Sequence, residues 1–168
     1  MRADSRGEGH GATFVVTLPL HEPDRTVATE STRAAASRPV TSSLRDVRVL
    51  LVEDDDDTRE LVRMTLEKAG AWVDAVASAT EARREILEDS PDVLISDIRM
   101  PAEDGYSLIQ SLRTAGISTP AIALTALARR EDEDAAREAG FQLHIAKPID
   151  AAHLVDAVAK VVRNHTVH

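Results

Sequence analysis

The sequence contains no cysteine among its 168 residues, and only 2% of its residues are aromatic. The lack of cysteine excludes disulfide bridges, thiolate metal sites and a cysteine nucleophile, and it slightly favours a cytoplasmic location. No apolar run approaches the ~20 residues that a membrane-spanning helix requires, and the first residues are polar. We therefore expect a cytoplasmic protein, with no signal peptide and no membrane contact by this segment.

Charge is distributed unevenly along the chain, whose formal net charge is −9. Residues 1–46 carry six basic and six acidic residues, whereas residues 47–168 carry 14 basic and 23 acidic residues. An acidic surface repels phosphate backbones, so we expect no nucleic-acid partner for the second part. Apolar residues make up 43% of the chain, which suffices for a core that must be mainly aliphatic.

The first 46 residues show little sign of a packed domain. Two glycines precede an alternating β-branched run, which ends at a proline: Gly9-His10-Gly11-Ala12-Thr13-Phe14-Val15-Val16-Thr17-Leu18-Pro19-Leu20. This pattern predicts a turn followed by a strand. Residues 21–46 are rich in Ser, Thr, Ala, Arg and Pro without a sustained apolar period, which predicts a flexible linker.

From residue 47 onward, strand and helix patterns alternate five times. Predicted strands cover residues 47–52, 72–76, 92–97, 120–125 and 141–146. The first predicted helix begins at a cap formed by Asp56 or Asp57 and ends at Gly70. Three further helices are predicted over about 80–88, 106–115 and 129–139, and a last one ends near 164. Regular alternation with short connections predicts an α/β domain, in which a parallel sheet is covered on both faces.

Polar side chains stand at the carboxyl ends of four of these strands. Glu53 and Asp54 follow the first strand, Asp97 ends the third, Thr125 ends the fourth and Lys147 follows the fifth. The carboxyl ends of parallel strands meet at one edge of the sheet, where open α/β sheets bind ligands. These five side chains therefore predict a single site.

Residues 47 to about 164 resemble a response-regulator receiver domain. Glu53 and Asp54 match the acidic pair of that family, and Asp97 matches its phosphoryl-accepting aspartate. The remaining matches are the hydroxyl of Thr125, the pair Lys147-Pro148, and Met100-Pro101-Ala102-Glu103-Asp104-Gly105 for the pattern Met-Pro-x-x-Asp-Gly. The resemblance implies a flavodoxin-like (βα)5 fold, with a five-stranded parallel sheet in the order 2-1-3-4-5 and helices on both faces.

The resemblance also implies a function, a phosphoacceptor in a two-component phosphorelay. Asp97 would take a phosphoryl group from a histidine kinase or a histidine phosphotransfer domain. Mg²⁺, with Mn²⁺ as a substitute, would be held by Glu53, Asp54, Asp97 and the backbone carbonyl of Arg99. Thr125 and Lys147 would bind the phosphoryl group, and His144 stands where many receivers carry an aromatic switch residue. A homodimer through the 129–164 face is compatible with the same resemblance.

The glycine-led strand near the amino terminus resembles the last turn and strand of the ATP-binding domain of sensor histidine kinases. This implies that residues 1–20 are a remnant of such a domain and that the receiver is the C-terminal part of a hybrid kinase. Histidine kinase activity would then belong to the full-length parent, because the nucleotide-binding motifs are missing here. Only the tail 165–168 follows the predicted last helix, so we expect output through protein contacts and not through a DNA-binding domain.

One alternative function comes from the acidic loop after the first strand. Asp54-Asp55-Asp56-Asp57-Thr58 satisfies Asp-x-Asp-x-Thr, the nucleophile motif of haloacid-dehalogenase-like phosphatases. In that family Asp54 would be the nucleophile and Asp56 the acid/base. The family also requires a cap and a late acidic pair, for which this chain has little room. We therefore favour the receiver interpretation with Asp97 as the acceptor.

Overall fold

The computed structural model describes residues 2–5, 12–15, 43–126 and 130–166, and the chain divides into two compact units, residues 1–36 and 37–168. In the first unit, strand β1 (Arg2–Ser5) pairs antiparallel with strand β2 (Ala12–Val15). Strand β2 lies within the predicted glycine-led strand. The sequence pattern does not indicate β1, because this polar segment lacks a β-branched run. The linker predicted for residues 21–46 lies mostly outside the described residues.

The second unit is an α/β domain built on one parallel sheet. Its strands are β3 (Arg48–Val52), β4 (Trp72–Val76), β5 (Val93–Asp97), β6 (Ala121–Thr125) and β7 (Leu143–Ala146). Its helices are α1 (Asp56–Lys68), α2 (Ala79–Glu88), α3 (Gly105–Thr114), α4 (Arg130–Ala139) and α5 (Ala151–Thr166). The strand order is β4-β3-β5-β6-β7, which is 2-1-3-4-5 when the strands of this sheet are counted. The predicted flavodoxin-like fold is confirmed.

Aliphatic side chains fill the space on both faces of the sheet. Strands β5 and β6 are buried at every position, as expected for central strands covered on two sides. One core cluster joins the sheet to α1 and α5, and the other joins it to α2, α3 and α4. Each large aliphatic side chain buried in these clusters contributes about 1.5–3 kcal/mol to folding. The sheet is thus a firm base for the side chains at its edge.

Helix α1 begins and packs differently from its prediction. Its N-cap is Asp55, whose carboxylate accepts a hydrogen bond from the Thr58 backbone N–H at 2.8 Å, so the predicted caps were wrong by one or two residues. The cap lies earlier because the helix already begins at Asp56, so the extended residue before it, Asp55, takes the capping position. Leu61 and Met64 belong to the predicted apolar set, yet they remain 60% and 42% exposed.

The folded unit extends beyond both predicted boundaries of 47 and 164. Leu44 falls within the predicted linker, but its side chain is fully buried in the core and its backbone N–H donates to the Ala69 carbonyl at 2.9 Å. Helix α5 continues to Thr166, into the predicted tail. Within the described residues, none of the helices combines the length and apolar character that crossing a bilayer would require.

Candidate functional site

The sheet brings the predicted polar side chains together at its carboxyl edge. Asp97 and Thr125 are the last residues of β5 and β6, while Glu53, Asp54 and Lys147 directly follow β3 and β7. Oxygen atoms of Glu53, Asp54 and Asp97 all lie within 4.8 Å of one another. Three carboxylates this close together repel one another unless a cation is shared among them.

Lys147 supplies a positive charge inside this acidic group. Its Nζ lies 2.6 Å from Asp97 Oδ2, and 2.8 Å and 3.0 Å from the two carboxylate oxygens of Glu53. Glu53 is fully buried and Asp97 is only 6% exposed, so both carboxylates require such a partner. The ammonium therefore offsets part of the negative charge that the strand ends concentrate here.

Burial and hydrogen bonding change the proton affinities of this pair. Burial raises the pKa of Glu53, and the hydrogen bond from Lys147 only partly opposes this effect. For Lys147 burial lowers the pKa, but the hydrogen bonds to Asp97 and Glu53 outweigh burial and raise the pKa overall. The lysine therefore stays charged at neutral pH, while Glu53 binds a proton more readily than an exposed glutamate does.

The raised pKa of Glu53 predicts a pH-dependent stability for the metal-free protein. Between the ordinary pKa of a glutamate and the raised value, the folded protein binds more protons than the unfolded chain, so the free energy of unfolding falls as the pH rises. Glu53→Gln cannot titrate at this position. Urea unfolding at a series of pH values measures the free energy of unfolding of both proteins. We expect the value for the wild type minus the value for Glu53→Gln to decrease as the pH rises between the two pKa values. A difference that grew with pH would contradict the assignment.

The segment after Asp97 is held close to the strand end. The Arg99 backbone N–H donates to Asp97 Oδ1 at 3.1 Å, and the Gly105 N–H donates to the Ile98 carbonyl at 2.9 Å. A Cβ at Gly105 would lie 2.4 Å from the Asp97 carbonyl oxygen, so only glycine allows α3 to approach this closely. Asp104 caps the same helix. The Asp-Gly pair of the sequence motif therefore shapes the loop that borders the site.

Arg59 is a site residue that the sequence analysis missed. Its Nη1 donates to the Glu53 backbone carbonyl at 2.8 Å and lies 3.4 Å from the Asp54 carbonyl, while Nη2 pairs with the Asp56 carboxylate. The guanidinium thus fixes the turn that carries the two acids. An arginine one turn into a helix carries no sequence signal for this role, because its direction depends on how the helix packs.

His144 lies on β7, and its contacts lead to α4. Its side chain is 31% exposed, and its Nε2 is 3.1 Å from Glu133 Oε1 on that helix. Its neighbour on β6 in the strand register is Ala123, two residues before Thr125. Thr125 itself is buried, at 4% exposure. The structure therefore connects His144 to the surface element α4, a contact that the sequence does not indicate.

The four consecutive aspartates have separate roles in the structure. Asp54 belongs to the carboxylate group, Asp55 caps α1, and Asp56 pairs with Arg59 while its side chain remains 88% exposed. A phosphatase acid/base would have to face the same substrate as its nucleophile. The ion pair of Asp56 at the surface therefore gives no support to the haloacid-dehalogenase alternative.

Comparison with known proteins identifies relatives of the second unit. The family model described as "Response regulator receiver domain" matches residues 49–159. An uncharacterized 14.6 kDa protein in the sodA1 3' region of Leptolyngbya boryana is 42% identical over 118 residues, which cover 69% of this chain and 90% of that protein. Hybrid signal transduction histidine kinase D of Dictyostelium discoideum is 32% identical over 132 residues, 73% of this chain but 8% of that kinase.

A solved structure shows the same architecture. The receiver domain of the Francisella response regulator 1452 matches with a TM-score of 0.69 and 28% identity, covering 71% of this chain and 99% of that one. The chain also spans about half the length of several transcriptional regulators that it matches. The family model covers more than half of the chain, and the solved receiver domain shares its fold. This chain therefore belongs to the response regulator receiver domain family of two-component signalling.

Proposed function

We propose that this receiver domain accepts a phosphoryl group on Asp97 in a Mg²⁺-dependent reaction and signals through a change of conformation. The observation that supports this most is the position of Asp97 between two further carboxylates and the Lys147 ammonium, 2.6 Å away. A carboxylate in this setting has both a cation and a metal site beside it. The positive charges of the ammonium and of a bound metal are what allow the anionic carboxylate to approach an anionic phosphoryl group.

The donor set suits a hard divalent cation. Glu53, Asp54 and Asp97 offer carboxylate oxygens within 4.8 Å of one another, and the Arg99 backbone carbonyl lies on the adjoining loop. Mg²⁺ prefers a few such oxygen ligands and retains several of its waters. When bound, Mg²⁺ would neutralise charge on the phosphoryl oxygens. Mn²⁺ takes the same oxygen ligands and should substitute for it.

Each protein group has a separate part in the transfer. A carboxylate oxygen of Asp97 forms the new bond to phosphorus as the phosphorus–nitrogen bond of a phosphohistidine breaks and the imidazole leaves. Lys147 contributes a point charge beside the incoming oxygens, and the hydroxyl of Thr125 can donate a hydrogen bond to one of them. An open cavity of ≈ 540 Å³, lined in part by Asp54, Arg99 and Thr125, gives a donor room to approach.

The proposal is tested by treating the protein with acetyl phosphate in the presence and absence of Mg²⁺. We expect a mass increase of one phosphoryl group only with Mg²⁺, and peptide mapping should place it on Asp97. An unmodified protein under both conditions, or modification at another residue, would refute the proposal.

We further propose that Thr125 transmits phosphorylation to α4 and β7. Among the side chains of α4 that the structure describes, the buried ones are small (Ala136 and Ala139), so this helix gains little from packing and should move readily. A hydroxyl that turns toward the phosphoryl group vacates space near β7. His144 is placed to respond, since it contacts α4 through Glu133.

The Thr125→Ala variant should separate phosphorylation from this response. In the wild type, we expect beryllofluoride with Mg²⁺ to change amide exchange over residues 130–146. We expect Thr125→Ala to accept phosphoryl on Asp97 but to lose this change. Thr125→Ser retains a hydroxyl and is the matched control, with the response preserved. If the exchange of α4 and β7 changes equally in Thr125→Ala, the hydroxyl does not carry the signal.

The phosphodonor class follows from the family, whose receivers interact with histidine kinases or phosphotransfer proteins. We propose that this receiver is the C-terminal part of a hybrid histidine kinase, whose phosphohistidine is the donor. Two observations support this: the similarity to hybrid signal transduction histidine kinase D, and the strand β2 where the kinase-like segment predicts a strand. A dimerisation histidine and nucleotide-binding motifs in the coding sequence upstream of Met1 would establish it, whereas an unrelated upstream sequence would refute it.

A further inference from the structure

A half-buried ion pair connects helix α2 to the loop that follows Asp97. Arg83 on α2 donates from Nη1 to Glu103 Oε2 at 2.8 Å, and its Nη2 contacts the other carboxylate oxygen. Its Nε donates to Ser111 Oγ on α3 at 3.1 Å. All three nitrogens of the guanidinium are used, and the two charged side chains keep only 35% and 27% exposure. One side chain therefore ties together α2, α3 and the loop.

The loop needs such an anchor because of its backbone conformation. Ala102 has a φ of 66°, a left-handed conformation that is disfavoured for residues with a Cβ atom. Within the loop, the Glu103 backbone N–H donates to the Pro101 carbonyl at 2.8 Å. Glu103 directly follows the strained residue, and its bidentate contact fixes this point of the loop against two helices. A planar, bidentate pair of this kind restrains orientation as well as distance.

The same loop carries the Arg99 carbonyl, the proposed metal ligand. The loop leaves the strand at Asp97 and returns at Gly105, whose N–H is bonded to the Ile98 carbonyl. Both ends are thus held at the sheet, and the middle is held by Arg83 through Glu103. If the middle anchor is lost, the segment between the two ends can relax from its left-handed turn, which changes the direction of the nearby carbonyl.

We propose that Arg83 is a positioning residue for the metal-dependent phosphorylation of Asp97. By holding Glu103, it keeps the loop in the conformation that presents the Arg99 carbonyl to the cation. Arg83 acts only through the loop and is not placed among the reacting groups. The inference rests on the proposed function, because it assumes the Mg²⁺ site at the sheet edge. Groups that orient metal ligands from outside commonly change metal affinity about 10-fold or more.

The test compares Mg²⁺ affinity and phosphorylation in wild type and Arg83→Gln. We expect Mg²⁺ to bind about 10-fold more weakly in the variant. Labelling by acetyl phosphate should slow at low Mg²⁺ and return to the wild-type rate at saturating Mg²⁺. That recovery distinguishes a positioning role from a damaged site. Arg84→Gln is the matched control, because it removes an exposed ion pair with Glu85 on the same helix and should leave Mg²⁺ affinity unchanged.

A charge reversal gives a second readout. Arg83→Glu alone should weaken Mg²⁺ binding, and adding Glu103→Arg should restore at least part of the affinity, since the pair can form in the opposite sense. Unchanged Mg²⁺ affinity in Arg83→Gln would overturn the inference while the proposed function stands. A wild-type protein that binds no Mg²⁺ would instead overturn the proposed function itself, and the two failures are therefore distinct.

Discussion

Asp97→Asn is expected to lose the phosphoryl adduct completely. An amide oxygen is a poor nucleophile because its electron pair is delocalised toward nitrogen, and the substitution also removes one of the three charges that would hold Mg²⁺. The two side chains are nearly identical in size, and Gly105 closely approaches only the backbone carbonyl of residue 97, so the substitution should leave the strand end intact. Intact-mass analysis after treatment with acetyl phosphate and Mg²⁺ measures the loss directly.

The control for this variant is Asp57→Asn. Asp57 is exposed on the first turn of α1 and lies outside the carboxylate group, so its variant should be labelled as efficiently as the wild type. Labelling that persists in Asp97→Asn would contradict the assignment of the acceptor. If the label were found on Asp54, the haloacid-dehalogenase alternative would regain support.

Asp54→Ala is expected to abolish measurable Mg²⁺ binding. Among the contacts of the described residues, Lys147 binds Glu53 and Asp97 but not Asp54. Asp54 is therefore the carboxylate of the group that does not share its charge with the ammonium. Removing it leaves two acids that already have a cationic partner, too little charge to replace the hydration of the ion. We expect the Mg²⁺ affinity to fall by at least about 100-fold, which is more than is usual when a residue that only orients the metal ligands is replaced.

Calorimetric titration with Mg²⁺, or resonance spectroscopy with Mn²⁺, would measure this loss. Asp57→Ala serves as the control, because that side chain is exposed and lies outside the carboxylate group. It should bind Mg²⁺ as the wild type does. Equal affinities in Asp54→Ala and wild type would show that the cation, if bound, lies elsewhere.

The alternating pattern of the chain was sufficient to predict the α/β class and the site residues at the strand ends. Period-two and period-3.6 patterns of apolar residues depend on local geometry, and the parallel arrangement follows from short βα connections. Once the strands are parallel, residues at their carboxyl ends must share an edge. Asp97, Thr125 and Lys147 could therefore be placed in one site although they are far apart in sequence. The strand order came from the family resemblance and not from the pattern.

Tertiary structure alone decided how those residues are connected. The ammonium of Lys147 bridges Glu53 and Asp97, and Arg83 reaches Glu103 across 20 positions of sequence. Such contacts depend on side-chain directions and on the distance between packed helices, which sequence periodicity does not specify. The burial of Leu44 in the core could likewise not be predicted, since a single apolar residue in a polar segment forms no periodic pattern. The sequence by itself thus determined which groups meet at the sheet edge, while packing determined which charges pair and which loop they restrain.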